Sequence, residues 1–96
     1  MYGTIARLRI KPGMEAELER LSRAENADIL GFTFQHVYRM DADSQDFYLV
    51  VGFESEEAYR QNAESPEQNA RYETYRALLD AEPEWHDGEV VFSVLS

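Results

Sequence analysis

Phe47-Tyr48-Leu49-Val50-Val51-Gly52-Phe53 is the stretch on which the fold turns. It reads as a strand with apolar side chains on both faces. A strand in a half-solvated sheet alternates apolar and polar residues. This one does not, so both of its faces must be covered. Before it lies the polar run Asp41-Ala42-Asp43-Ser44-Gln45-Asp46, and before that Phe32 to Met40 reads as a second strand. The length of the connection suits a hairpin with a loose loop. After it, Ser55 followed by Glu56 and Glu57 marks a helix start, with a capping hydroxyl and acids where the helix dipole favours them. Ser65-Pro66-Glu67-Gln68 restarts that helix: serine as cap, proline at the first helical position, glutamine three residues past the cap. The restarted helix carries Tyr72, Tyr75, Leu78 and Leu79 and stops near Pro83.

Further out, Tyr2 to Ile10 alternates, with Thr4, Ala6, Leu8 and Ile10 on one side and Ile5, Arg7 and Arg9 on the other. Lys11-Pro12-Gly13 is a turn. Met14, Leu18 and Leu21 recur at helical spacing, and Glu19 and Arg23 stand four apart in the favourable order. Gly31 closes that helical region. Val90 to Leu95, nearly continuous and apolar, reads as the last strand. The order is β-α-β-β-α-β with the second helix broken in two, a ferredoxin-like α+β arrangement with an antiparallel sheet. Residues 1–96 make a single domain of this kind. Helices then cover one face of the sheet only. Tyr48, Val50, Val90, Phe92 and Val94 leave the other face apolar, a patch that soluble monomers seldom expose. The expectation is a homodimer in which two sheets pack face to face.

The formal charge is −10, from 19 acidic and 9 basic side chains. That balance argues against nucleic acid or an anionic membrane as partner, since both need a positive footprint. The chain has no cysteine, which excludes disulfides, thiolate catalysis and zinc–thiolate sites. No apolar run approaches membrane-spanning length. The amino terminus enters strand-like sequence directly, without a charged leader, so a cytoplasmic protein is expected. Asp41-x-Asp43-x-Gln45 opens like a calcium loop, but Asp46 stands where the glycine belongs and Gly52 where the final glutamate belongs. His36 and His86 lack metal-ligand spacing. No metal site is expected, and no phosphate loop, dinucleotide fingerprint or nucleophile elbow is present.

Function should surface where polar side chains occupy positions that packing alone would make apolar. The inward arc of the last helix, set by Tyr72, Tyr75, Leu78 and Leu79, also holds Gln68 and Arg71. Asn62 falls inside the arc of Ala58, Tyr59 and Ala63. Phe32, Phe34, His36 and Tyr38 share one parity and form an aromatic wall with a single imidazole. Trp85-His86-Asp87-Gly88 seeds a helix-to-strand corner, with Trp85 packed on the core, on the partner, or over a pocket. These residues suit a concave apolar pocket with a few hydrogen-bonding groups, in which Tyr38, Tyr59, Gln68, Arg71, Tyr75 and Trp85 bind the ligand. Each also has a plainer reading. An inward tyrosine packs its ring, an asparagine at a helix break caps backbone, and Arg71 lays its stem over apolar surface while pairing with Glu67.

The first strand into Lys11-Pro12-Gly13, Val51-Gly52-Phe53-Glu54-Ser55 leading into Ala58-Tyr59, Asn62 to Gln68, and Glu84 to Glu89 together resemble the antibiotic-biosynthesis monooxygenase family of dimeric α+β barrels. The resemblance covers nearly the whole chain. It implies a cofactor-independent monooxygenase that oxidises a small aromatic, phenolic molecule with dioxygen in an apolar pocket. The deprotonated substrate itself reduces oxygen, so such a site needs hydrogen bonds to an enolate and exclusion of water more than a strong base. Asn62, Tyr72 and His36 are the residues that fit these catalytic roles. A haem-degrading branch of the family carries an asparagine on the first strand, a tryptophan on the helix after the third strand and a histidine on the last helix. This chain has Ala6, Asn62 and Tyr72 at those places. Tyrosine can ligate haem iron, so haem binding through Tyr72 stays open as a lesser alternative. The main alternative is a non-catalytic dimeric barrel that binds a small apolar ligand.

Overall fold

Thr4, Ala6, Leu8 and Ile10 are buried in alternation with the exposed Ile5 and Arg7, so the first strand presents one side to the core and one away from it. The computed structural model describes residues 1–25 and 29–96. The elements are β1 (Tyr2–Arg9), α1 (Glu15–Glu25), β2 (Phe32–Arg39), β3 (Asp46–Phe53), α2 (Glu56–Ala63), α3 (Pro66–Arg76) and β4 (Glu84–Glu89). The strands form one antiparallel sheet in the order β2-β3-β1-β4. This is the expected ferredoxin-like α+β fold. Among the described residues, no helix is long and apolar enough to cross a membrane.

The core lies between the helices and one face of the sheet. Leu18 and Leu21 of α1 meet Ala6, Leu8, Ile10 and Phe47 of the strands, and Leu78 and Leu79 close the cluster. The Lys11-Pro12-Gly13 turn forms with Gly13 at φ +82°. Gly31 sits at φ +80°, and a Cβ there would also lie 2.7 Å from the Cβ of Ala58, so both conformation and space require glycine. Asp43 is a turn residue, as its lost calcium-loop pattern suggests: Oδ1 accepts from the Gln45 amide at 3.0 Å and Oδ2 from Arg9 at 2.8 Å. The Arg9 guanidinium holds the Asp43 carboxyl below the usual carboxylate range. The Glu19–Arg23 pair forms at 3.2 Å.

Two expectations are corrected. Phe32, Phe34, His36 and Tyr38 do not share a face. Phe32 pairs with Phe53 and Phe34 with Gly52, a register irregularity that inserts one extra residue between them. Such a bulge reverses which face the following residues take. Phe32 therefore turns toward the helices, while Phe34, His36 and Tyr38 line the opposite face with Tyr48, Val50 and Ile5. The second correction concerns Val90 to Leu95. The last strand is Glu84–Glu89, whose register runs from Arg7↔Glu84 to Tyr2↔Glu89. The final ladder bond is Val90 N–H to the Met1 carbonyl at 2.8 Å. The apolar run overhangs the sheet with Val91, Phe92, Val94 and Leu95 between 78% and 90% exposed. Polar Glu84 to Glu89 form the strand because register with β1, not hydrophobicity, decides which residues pair.

Candidate functional site

The broken second helix builds the site. Ser55 caps α2 by accepting from the Ala58 amide at 3.1 Å. Ser65 caps α3 by accepting from the Gln68 amide at 3.1 Å, with Pro66 following. The same Ser65 hydroxyl donates to the Asn62 carbonyl at 2.8 Å, so one oxygen fastens the end of α2 to the start of α3. The junction turns three polar side chains toward each other. Asn62 Nδ2 donates to Gln68 Oε1 at 3.2 Å, and Arg71 Nη1 donates to Gln68 Oε1 at 3.2 Å and to Asn62 Oδ1 at 3.3 Å. Arg71 does not pair with Glu67, contrary to expectation. Its guanidinium folds over the helix junction toward the two amides.

This triangle borders a cavity of about 350 Å³ between the helices and the sheet. Leu8, Leu49, Val51 and Phe53 form its apolar floor, and Tyr72, Tyr75 and Trp85 stand around it. The size is at the lower end for small-molecule sites, and apolar walls with few polar groups are what such sites offer. Trp85 belongs to β4 and packs against Tyr72 with the rings tilted at 50° and their centroids 6.4 Å apart, so it walls the cavity. Tyr75 donates to Ser22 of α1 at 3.2 Å. The Tyr72 hydroxyl lies 3.5 Å from Glu82 at the rim. Tyr59 donates to Asp87 Oδ1 at 2.7 Å and packs against Tyr2 and Phe53. Burial, reinforced by Asp87, pushes the Tyr59 phenol up to about 12, so at neutral pH it is a donor and not a base.

Of the residues expected at the site, Tyr59, Asn62, Gln68, Arg71, Tyr72, Tyr75 and Trp85 come together here. His36 and Tyr38 do not. The bulge in β2 carries both to the far face of the sheet, where they are exposed. Sequence reasoning missed Thr4. Its Oγ1 is buried on the cavity floor without a well-formed hydrogen bond among the described residues, although it lies close enough to the Tyr59 oxygen to favour its anion slightly. The signal was available: a lone hydroxyl on the buried parity of β1. Asp87, which orients Tyr59, was legible only as part of a turn.

A wider groove of about 770 Å³ runs beside α1, but its arginines are already paired, Arg39 with Glu15 at 2.8 Å and Arg23 with Glu19 at 3.2 Å. Among the described residues, no cluster of three or more histidine, aspartate or glutamate side chains is arranged to hold a metal ion. The donor set around Tyr72 does not fit haem iron either, because its hydroxyl faces Glu82 at the exposed rim and no imidazole reaches the cavity.

The family model described as antibiotic biosynthesis monooxygenase matches residues 1–81. No curated protein matches the chain. Among solved structures, SnoaB, a cofactor-independent oxygenase from Streptomyces nogalater solved as a point mutant, superposes with a TM-score of 0.80 at 16% identity, covering 99% of this chain and 97% of that one. A protein of Chloroflexus aurantiacus J-10-fl, provisionally given the same family name, superposes at 0.78 with 20% identity, covering 97% and 95%. A conserved protein from Methanosarcina mazei Go1 gives 0.75 at 18% identity, covering 91% and 89%. At such identities the likeness is one of fold.

Proposed function

Because this chain belongs to the antibiotic biosynthesis monooxygenase family, we propose that it is a cofactor-independent monooxygenase acting on a phenolic aromatic molecule in the cavity beneath α2 and α3. The observation that carries this reading is the Asn62–Gln68–Arg71 group at the edge of an apolar cavity. An anthrone-like substrate has a methylene whose proton is acidified by the neighbouring carbonyl. Loss of that proton to water at the cavity mouth leaves an enolate oxygen, which the Asn62 amide stabilises by donation. The electron-rich anion transfers an electron to dioxygen, and the radical pair recombines to form a C–O bond. The resulting peroxide anion takes back a proton to become a hydroperoxide, which loses water, so the methylene and O₂ become a carbonyl and H₂O. Tyr72 at the rim donates to the departing oxygen, and the apolar floor excludes bulk water.

The dimer is part of the same proposal. Ile5 and Tyr38, 49% and 55% exposed, share the open sheet face with His36 and Val50, and the exposed apolar overhang follows β4, the strand paired with β1. A second copy buries both. His36 and Tyr38 then serve the interface and not the chemistry. A cytoplasmic location belongs to this reading as well.

The test is oxygen consumption with a panel of quinols and anthrones against a protein-free control. Saturable uptake that falls at least about a hundredfold in Asn62→Ala, as loss of a single oxyanion donor does elsewhere, with an unchanged elution volume, supports the reading. Undiminished turnover in both Asn62→Ala and Tyr72→Phe removes these residues from the mechanism. A second reading, a barrel that binds its ligand without turning it over, is favoured by the Tyr59 phenol, which is no base at neutral pH. It predicts saturable binding with no oxygen uptake.

A further inference from the structure

Arg71 is the exception among the arginines of this chain. Every other arginine has a carboxylate oxygen within 3.4 Å. With 19 acidic side chains against 9 basic ones, a paired arginine is the expected state. Arg71 has no carboxylate within 4.0 Å among the described residues, even though Glu67 stands one turn earlier on α3. Among the described residues, its hydrogen bonds run from Nη1 to the neutral oxygens of Asn62 and Gln68. Nη2 and Nε make none among the described residues. The group is half-buried and borders an apolar cavity.

A guanidinium carries five donors in a rigid plane. The two amide oxygens fix that plane through one nitrogen and add no charge, which leaves the cation without a paired carboxylate among the described residues. Partial burial of a charge without a counter-ion is unfavourable, and the arrangement is relieved by an anion delivered from the cavity. The unused donors form a fork, the shape that receives the two oxygens of a carboxylate in parallel and that a single phenolate oxygen cannot fill.

We propose that the ligand of this cavity is an aromatic acid, and that Arg71 is its specificity-determining residue, gripping a carboxylate substituent through its free donors. This rests on the reading of the cavity as the substrate site and narrows its substrate class. Selectivity then lies in Arg71, while the aromatic body of the ligand is held by Tyr72, Tyr75 and Trp85.

Trp85 is the single tryptophan and walls the cavity, so its fluorescence reports occupancy directly. Quenching is titrated with anthraquinone-2-carboxylate, with its carboxamide, and with 2-hydroxyanthraquinone at a pH where the phenol is ionised. The expected result is that the carboxylate binds at least about tenfold more tightly than either comparator, as a charge-assisted bidentate pair does over a neutral contact. In Arg71→Met that preference disappears while carboxamide binding stays within about threefold of the original, since the stem still packs. Arg71→Lys keeps part of the preference as a point charge. Equal affinity for carboxylate and carboxamide overturns the inference, as does a preference that survives in Arg71→Met. Tighter binding of the phenolate also overturns it and gives Arg71 to the reacting oxygen. If neutral phenols still drive oxygen uptake, the monooxygenase reading stands in any of these cases. Absence of quenching by all three compounds overturns the inference and the cavity's role together.

Discussion

Replacing Ser65 with alanine removes one oxygen and two hydrogen bonds. The oxygen accepts from the Gln68 amide, as the cap of α3, and donates to the Asn62 carbonyl, as the clasp between α2 and α3. Loss of a serine cap costs about 1 kcal/mol, and a further intramolecular hydrogen bond about another 1 kcal/mol. Ser65 is half-buried, so water replaces these bonds only in part. The sum is about 2 kcal/mol, which in a domain of this size lowers the melting temperature by roughly 8–16 °C. The assay is urea unfolding at fixed protomer concentration, so that any association equilibrium is held constant. The midpoint should fall with the slope unchanged, because the same surface is exposed on unfolding. The loosened junction also frees Asn62 from Gln68, so the affinity for any cavity ligand should fall in the same variant. Ser65→Thr, which keeps the hydroxyl, should retain most of both. A loss below about 0.5 kcal/mol in the alanine variant, or equal losses in alanine and threonine, refutes the clasp.

Gly52→Ala places a Cβ 2.2 Å from the ring of Phe34 on the open sheet face. The ring must move, at about 1–3 kcal/mol, and Phe34→Leu in the same chain should return part of that loss in a double-mutant cycle. Tyr59→Phe addresses the alkaline limb of stability. The folded-state phenol is pushed up to about 12, so the native protein holds its proton while the unfolded chain releases it from about pH 10. Its contribution is therefore complete below the unfolded value and is lost as pH rises toward the folded one. Unfolding of the phenylalanine variant should show a shallower decline across that window, and parallel curves would exclude the assignment. Phe92→Ser with Leu95→Ser tests the overhang. Burying such a side chain contributes roughly 1.5–3 kcal/mol, so sedimentation should report a dimer weakened at least about tenfold, and an unchanged constant would free the overhang from that role.

How far the sequence reached is plain in individual residues. The Ser65-Pro66-x-Gln68 pattern has local causes, a side-chain cap and a fixed proline φ, and it appears as read, with Gln68 N–H on Ser65 Oγ. The same locality explains the Asp43 turn, the Glu19–Arg23 pair and the alternation of β1. Periodicity also brought Asn62, Gln68, Arg71, Tyr72 and Tyr75 to one side of their helices, and the cavity is there.

What only the tertiary structure decided depended on strand register and on the turn between α2 and α3. The bulge between Phe32 and Phe34 sent His36 and Tyr38 to the far face, and a one-residue slip leaves no mark in hydrophobic pattern. The pairing of β1 with polar Glu84 to Glu89 left the apolar run beyond them without a partner strand. Arg71 found two amides instead of Glu67, because the turn at Ser65 brought Asn62 within reach of a helix that starts after it. The sequence by itself determined the elements and their order, since caps, turns and periodicity act over a few residues. Which side chains face each other across the sheet was decided by pairings between distant segments. Those pairings set the floor beneath the local Asn62–Gln68–Arg71 group and kept His36 and Tyr38 away from it.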